Sequence, residues 1–241
     1  GRRLTARGGR DEVPARIEYR ARIARKPVSY TIPSDLRWSD LDVQDRADST
    51  DLIPVGHVEI AADLRRHFPE VFAGAEGEPL PGPRELQQAF AAVGLGPAAV
   101  IDRIHRRALD GLRPADFSGR TDALTALRLG EASCGGKSRL MVAELRRIGV
   151  TARVVGGLIL GDGSRKRTSH IWVEVMLGDR WVPFDPLNAH RAEQPASYLR
   201  LYTGELPLIV HTRGLAFDYG FAAPLDQVPR AWTARTAGLS E

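Results

Sequence analysis

The sequence predicts an α+β fold in which a cysteine-bearing helix packs on an antiparallel sheet, and three observations lead there. Cys134-Gly135-Gly136 opens an amphipathic run that continues to Leu145. Beyond it the apolar period switches from helical to strand-like. Ile171–Met176 and Trp181–Phe184 then flank the turn Leu177-Gly178-Asp179-Arg180, the pattern of a β-hairpin. A helix followed by such a meander buries its apolar stripe on one face of the sheet.

Taken in order, residues 1–12 hold four basic residues and three glycines and are expected to form a disordered arm. Residues 13–83 read as an N-terminal strand and helix extension. Ile17, Tyr19, Ala21 and Ile23 alternate with Arg16, Glu18, Arg20 and Arg22, the period of a half-buried strand. Ile60, Leu64, Phe68 and Val71 form a helical stripe interrupted by Pro69, and the Gly- and Pro-rich stretch 74–83 reads as an exposed loop or hinge. Residues 84–195 make up the core. Leu86, Phe90 and Val93 share one helix face, and Pro97 opens a second helix with Val100, Ile101, Ile104, Ala108 and Leu112 inward and Arg103, Arg106, Arg107 and Asp110 outward. Asp122 caps a short helix that ends at Gly130. Gly156-Gly157 interrupts the apolar run Arg153 to Leu160 and marks a bulge or a close backbone approach, since no phosphate-binding glycine pattern surrounds it. Residues 196–241 are expected to be a strand and loop segment leading toward a membrane region.

Composition bounds the function. With 241 residues, 43% hydrophobic and 27% charged, the chain can bury a sizeable core. No stretch approaches the roughly 18 apolar residues needed to span a bilayer. The chain opens on Gly1 without a signal-type apolar segment, so it is expected to be a processed or excised piece of a longer protein. The net charge of +4 is distributed among interleaved acids, which describes a solvated mixed-charge surface rather than a nucleic-acid platform. The lone cysteine forbids an internal disulfide.

That cysteine stands where a thiol becomes a nucleophile. A helix N-terminus presents unpaired N–H groups and the positive end of the macrodipole, which favour thiolate over thiol. His170 follows after 36 residues at the opening of one predicted strand, and Asp185 ends its hairpin partner. The turn near Gly178 sets the two side by side, and packing the helix N-terminus on that sheet edge brings sulfur to imidazole. Cys134, His170 and Asp185 are therefore the candidate nucleophile, proton carrier and imidazole-orienting carboxylate, with the Cys134 N–H as half of an oxyanion hole.

Three ordered blocks carry a resemblance. The cysteine helix ending in Glu144-Leu145-Arg146-Arg147-Ile148-Gly149-Val150, then Ser169-His170-Ile171-Trp172-Val173-Glu174-Val175, then Trp181-Val182-Pro183-Phe184-Asp185-Pro186 resemble the transglutaminase-like superfamily over roughly residues 97–190. The resemblance implies a papain-like core with Cys134, His170 and Asp185 on the catalytic positions. Gly157-Leu158-Ile159-Leu160, Arg167-Thr168-Ser169-His170 and Phe217-Asp218-Tyr219-Gly220-Phe221 further resemble bacterial membrane proteins in which such a domain precedes seven transmembrane helices, usually described as inactive transglutaminases. This implies an extracytoplasmic domain at a bacterial inner membrane, joined to the membrane only through segments outside this chain. It also implies partnership with an ATP-grasp glutamate-ligase-like enzyme and a retropepsin-like protease.

The expected activity is thiol-dependent acyl transfer or amide hydrolysis on a peptide or a glutamate- or glutamine-containing substrate, without a cofactor. The alternative is a catalytically silent domain that grips such a ligand. Arg165-Lys166-Arg167, in the loop before His170, are candidate contacts to an acidic substrate, as clustered cations concentrate anions. Trp172 is a candidate wall of the substrate channel, although it and Trp181 also fit the hairpin core. His57, His67, His105, His190 and His211 show no metal-ligand spacing.

Overall fold

Proline and glycine punctuation divides the chain as the sequence predicts. The computed structural model describes residues 23–41, 56–73, 79–115, 121–160 and 169–204. A two-residue strand β1 (Val28–Ser29) and a single 3-10 turn (Trp38–Asp40) precede helices α1 (Val58–His67) and α2 (Pro69–Phe72), separated at Pro69. Next come α3 (Pro83–Ala92), α4 (Pro97–Asp110), β2 (Arg113–Pro114), α5 (Ala123–Leu129), β3 (Glu131–Ala132) and α6 (Cys134–Arg147). The chain then turns to strands: β4 (Ala152–Ile159), β5 (Ser169–Leu177), β6 (Arg180–Asp185), β7 (His190–Arg191), β8 (Glu193–Gln194) and β9 (Tyr198–Thr203).

Five strands form one antiparallel sheet in the order β7-β6-β5-β4-β9. The predicted hairpin is β5–β6, turning at Gly178 with φ +61°. Ile171, Val173, Val175 and Leu177 alternate onto the face that packs on the helices, and Val173 and Val175 join Ile60, Leu64, Phe68, Leu86, Phe90, Ile104, Met141 and Phe184 in one core. Each fully buried side chain of this size contributes roughly 1.5–3 kcal/mol relative to exposure. Because α1 supplies Ile60 and Leu64 to this core, the described part of the 13–83 extension is integral to it.

Helix α6 lies at the centre of the molecule. Every residue from Gly135 to Leu145 is buried, so it is enclosed all round rather than amphipathic as the sequence predicts, and Gly135 and Gly136 belong to its first turn. A Cβ on Gly136 would lie 2.8 Å from the Ala132 Cβ, so glycine is required by close packing against β3. The polar residues of α6 find partners across the fold. Lys137 Nζ donates to the Leu109 carbonyl at the end of α4, Ser138 Oγ donates to the Ile171 carbonyl (3.2 Å), and Arg139 donates to the Thr121 carbonyl (2.7 Å). Buried Glu144 is held well above the ordinary carboxylate range by desolvation and by Asp63. The Asp63 carboxylate itself accepts from Arg107 Nε (3.0 Å) and Arg66 (2.7 Å).

Two expectations for the helices are corrected. Arg107 does not face outward with Arg106; it turns inward because Asp63 of α1 is fully buried and needs a countercharge. Val93 lies past the end of α3 and is exposed, outside the apolar stripe. The boundary expected at residue 195 also moves, since β9 is hydrogen-bonded to β4 and completes the core sheet. The alternating stretch 16–22, the arm 1–12, residues 74–78 of the 74–83 loop and the chain after 204 lie outside the described residues.

Gly156-Gly157 is a bulge, as expected. Gly156 faces Tyr202 but Gly157 faces Arg200, so Leu201 is the extra residue on β9. Neither glycine tolerates a side chain: a Cβ on Gly156 would meet the Tyr202 ring at 2.0 Å, and one on Gly157 would meet the Leu199 carbonyl at 1.9 Å. Side chains alternate faces along a strand, so one inserted residue reverses the face of everything beyond it. Tyr202 and Tyr198, four residues apart, therefore point to opposite sides of the sheet, and Tyr198 joins Val155 and Trp172 on the face away from the main core.

Candidate active site

Cys134 is the first residue of α6 and is partly exposed, whereas Gly135 to Leu145 behind it are buried. Burial pushes the thiol up, but the hydrogen bond and positive charge of His170 and the backbone N–H of Ile171 outweigh it, and the balance falls below the ordinary thiol value. The Ser138 hydroxyl on the Ile171 carbonyl ties the helix to the strand one residue beyond the histidine.

His170 and Asp185 are both buried and joined by a hydrogen bond from Nε2 to Oδ2 of 2.6 Å. The register explains it. Val173 faces Phe184 across β5–β6, so Asp185 continues opposite Trp172 and reaches His170 diagonally on the same face. With Nε2 committed to Asp185, Nδ1 is the nitrogen left for Cys134. Desolvation opposes a charge on His170, but Asp185 and Cys134 prevail and raise its pKa to about 9. Burial likewise opposes ionisation of Asp185, yet the hydrogen bonds from His170, Tyr198 and the Leu187 backbone hold it well below the usual carboxylate range.

The Asp185 carboxylate accepts from five donors. Oδ1 takes the backbone N–H groups of Leu187 (2.8 Å) and Asn188 (3.1 Å). Oδ2 takes His170 Nε2, the Tyr198 hydroxyl (2.6 Å) and the Asn188 side-chain amide (3.0 Å). The same amide nitrogen donates to the Tyr198 oxygen at 2.7 Å, so the hydroxyl proton must point at Asp185. His105 of α4 lies 3.2 Å from the Asp185 carbonyl, and burial lowers its pKa. Ala189 and Ala192, both non-glycine residues with positive φ (59° and 52°), flank the turn after Asn188. Arg191 anchors this segment to Asp102 of α4 through bonds of 2.6 and 2.7 Å, and Tyr30 N–H donates to the Ala192 carbonyl at 2.8 Å.

Residues 94–186 match the family model described as the transglutaminase-like superfamily. This segment belongs to the transglutaminase-like superfamily. Solved structures similar to the chain include a protein from Cytophaga hutchinsonii described as a candidate cysteine protease, at 14% identity and a TM-score of 0.44 over 67% of this chain and 48% of that one. Another is the periplasmic domain of TgpA from Pseudomonas aeruginosa bound to ethylmercury, at 20% identity and a TM-score of 0.32 over 53% and 50%. The chain thus spans about half the length of these two structures. No curated protein matches it by sequence.

In the transglutaminase-like domain, then, Cys134, His170 and Asp185 stand together. Trp172 is corrected as a channel wall: it is 1% exposed and stacks behind His170, ring centroids 6.2 Å apart, as packing for the imidazole. Trp181 is not in the core either, lying half-buried under the Arg153 guanidinium at 3.5 Å. Arg165, Lys166 and Arg167 lie outside the described residues. Tyr198 and Asn188 were not legible as site residues, because both follow the matched segment and Tyr198 reaches the site only through the bulge. The available signal was Asp185-Pro186-Leu187-Asn188, a turn-forming run directly after the carboxylate.

Proposed function

We propose that the domain is a cysteine-dependent acyl-transfer module in which Cys134, His170 and Asp185 act as nucleophile, proton carrier and orienting carboxylate. The observation that carries this reading is the buried 2.6 Å His170–Asp185 hydrogen bond beside a partly exposed cysteine at a helix N-terminus. The thiolate attacks an amide carbonyl carbon, and the electron pair moves to oxygen, where the Cys134 N–H at the helix start is available to stabilise it. Collapse forms a thioester and expels the amine, which takes its proton from His170. Neutral His170 then removes a proton from the incoming amine or water as it attacks the thioester and keeps it while the sulfur departs as thiolate, which restores the starting pair. An amine gives transamidation and water gives hydrolysis. The substrate class is a peptide or a glutamate- or glutamine-containing amide, with Arg165-Lys166-Arg167 as candidate contacts to its acidic groups. We further place the domain on the extracytoplasmic side of a bacterial inner membrane, working beside ATP-grasp-ligase-like and retropepsin-like proteins, as the sequence resemblance implies.

Alkylation of Cys134 by iodoacetamide tests the chemistry. The expected result is rapid modification persisting below pH 7, with His170→Ala restoring the profile of an ordinary thiol near pH ~8.5. Ordinary thiol behaviour in the unaltered chain would refute the reading.

A further inference from the structure

The donors on Asp185 exceed what orientation of one imidazole requires. A carboxylate has about four lone-pair sites, and here five groups share them. Two are backbone amides set by the turn, and one is the imidazole itself. The remaining two, from Tyr198 and Asn188, form a directed chain in which the amide donates to the phenol oxygen and the phenol donates to Oδ2. Such chains polarise each member, so the phenol is a stronger donor than it would be alone. Its bond to Oδ2, at 2.6 Å, is as short as that of His170 to the same atom. Donors that share one oxygen compete for its charge.

The fold makes specific provision for the phenol. Without the extra residue on β9, Tyr198 would share the face of Tyr202, on the opposite side of the sheet from His170. The bulge requires Gly157, whose absent side chain is the space filled by the Leu199 carbonyl. Once turned, the Tyr198 ring is buried and meets His170 edge to face at 5.5 Å and Trp172 at 5.5 Å, so its hydroxyl has no freedom to leave Asp185.

We infer that Tyr198 is a positioning residue of this site whose hydroxyl, aimed by the bulge and by Asn188, draws off part of the Asp185 charge and thereby limits how tightly Asp185 holds the His170 proton. The consequence for turnover rests on the acyl-transfer reading. An imidazolium bound too tightly to its carboxylate is a poor acid for an expelled amine, so Tyr198 keeps His170 acidic enough to release its proton. The sign is opposite to that of a support residue. Loss of a mere support loosens the His170–Asp185 contact and weakens proton binding; loss of a competing donor strengthens it.

The test is ring-nitrogen NMR titration of His170 in the Cys134→Ala chain with and without Tyr198→Phe, so that no thiolate titrates alongside. The charged and titratable groups around the pair are then Asp185 from β6, Tyr198 from β9, Lys137 from α6, His105 from α4 behind the Asp185 carbonyl and His190 of β7 against the Tyr198 ring. The expected result is proton binding by His170 tightened ~3–10-fold, the equivalent of one ordinary hydrogen bond. His105 should be unmoved. An unchanged or weakened His170 overturns the inference. If Tyr198→Phe does not fold, 3-fluorotyrosine at position 198, a more acidic phenol and a stronger donor, carries the same measurement: proton binding by His170 should weaken, and no shift or a tightening overturns it. This measurement involves no turnover, so it stands apart from the alkylation profile that tests the acyl-transfer reading.

Discussion

At the scale of the residue, the site separates charge before any substrate arrives. Cys134 is lowered by the His170 charge and the Ile171 N–H against its own burial, while His170 is raised to about 9 by Asp185 and Cys134. Turnover on this reading follows a bell, rising as the thiolate forms and falling as His170 deprotonates near pH 9. The same shifts govern stability. His170 binds its proton more tightly folded than unfolded, so its contribution is complete below its ordinary value of 6.5 and is lost as pH rises through about 9. Asp185 binds its proton more weakly when folded; its contribution is present above 3.8 and is lost as pH falls through its depressed folded value. The lowered Cys134 thiol contributes in the opposite sense, so the decline is read in the Cys134→Ser chain, where urea denaturation midpoints should fall as pH rises above 6.5 and Asp185→Asn should flatten that fall. A decline of equal size in Asp185→Asn would assign it to other groups.

At the scale of the element, the bulge joins sheet geometry to site chemistry. Gly157→Ala would force a Cβ to within 1.9 Å of the Leu199 carbonyl, so β4 and β9 must separate. The expected cost is ~1–3 kcal/mol of stability, the range for overpacking, read by chemical denaturation. Tyr198 should move off Asp185 in the same variant, which a change in the His170 titration would report. Much of this scale was legible in the sequence. Pro69, Pro97 and Gly130 fixed helix ends, the Gly178 turn fixed the hairpin, and the double glycine marked the bulge, each through a local backbone requirement. What the bulge did to Tyr198 was not legible, because the face of a residue beyond an insertion depends on which strand carries the extra residue. Arg107 was misread for a related reason: its outward helix position is correct for an isolated helix, but a buried Asp63 on a distant helix draws it inward.

At the scale of the whole molecule, the extension and the site are one structure. β1 pairs with β8, Tyr30 N–H reaches the Ala192 carbonyl, and Trp38 stacks on Phe90 at 5.7 Å while its indole donates to the Leu95 carbonyl. Tyr30→Pro removes the N–H that holds the Ala192 carbonyl. The expected outcome is faster hydrogen exchange at the Leu187 and Asn188 amides, which donate to Asp185, with the amides of α6 unchanged. Equal protection in the variant would show that Arg191–Asp102 suffices to hold the segment. The pairing of Val28 with Gln194 also sets an order of events during synthesis. The cysteine helix and the β5–β6 hairpin assemble from neighbouring stretches of chain, whereas the two-residue β1–β8 ladder waits for the final strands to emerge and closes one of the longest loops in the molecule. A half-made chain therefore carries its thiol and its imidazole before it carries the clasp that steadies their carboxylate, and the reactive geometry is completed last.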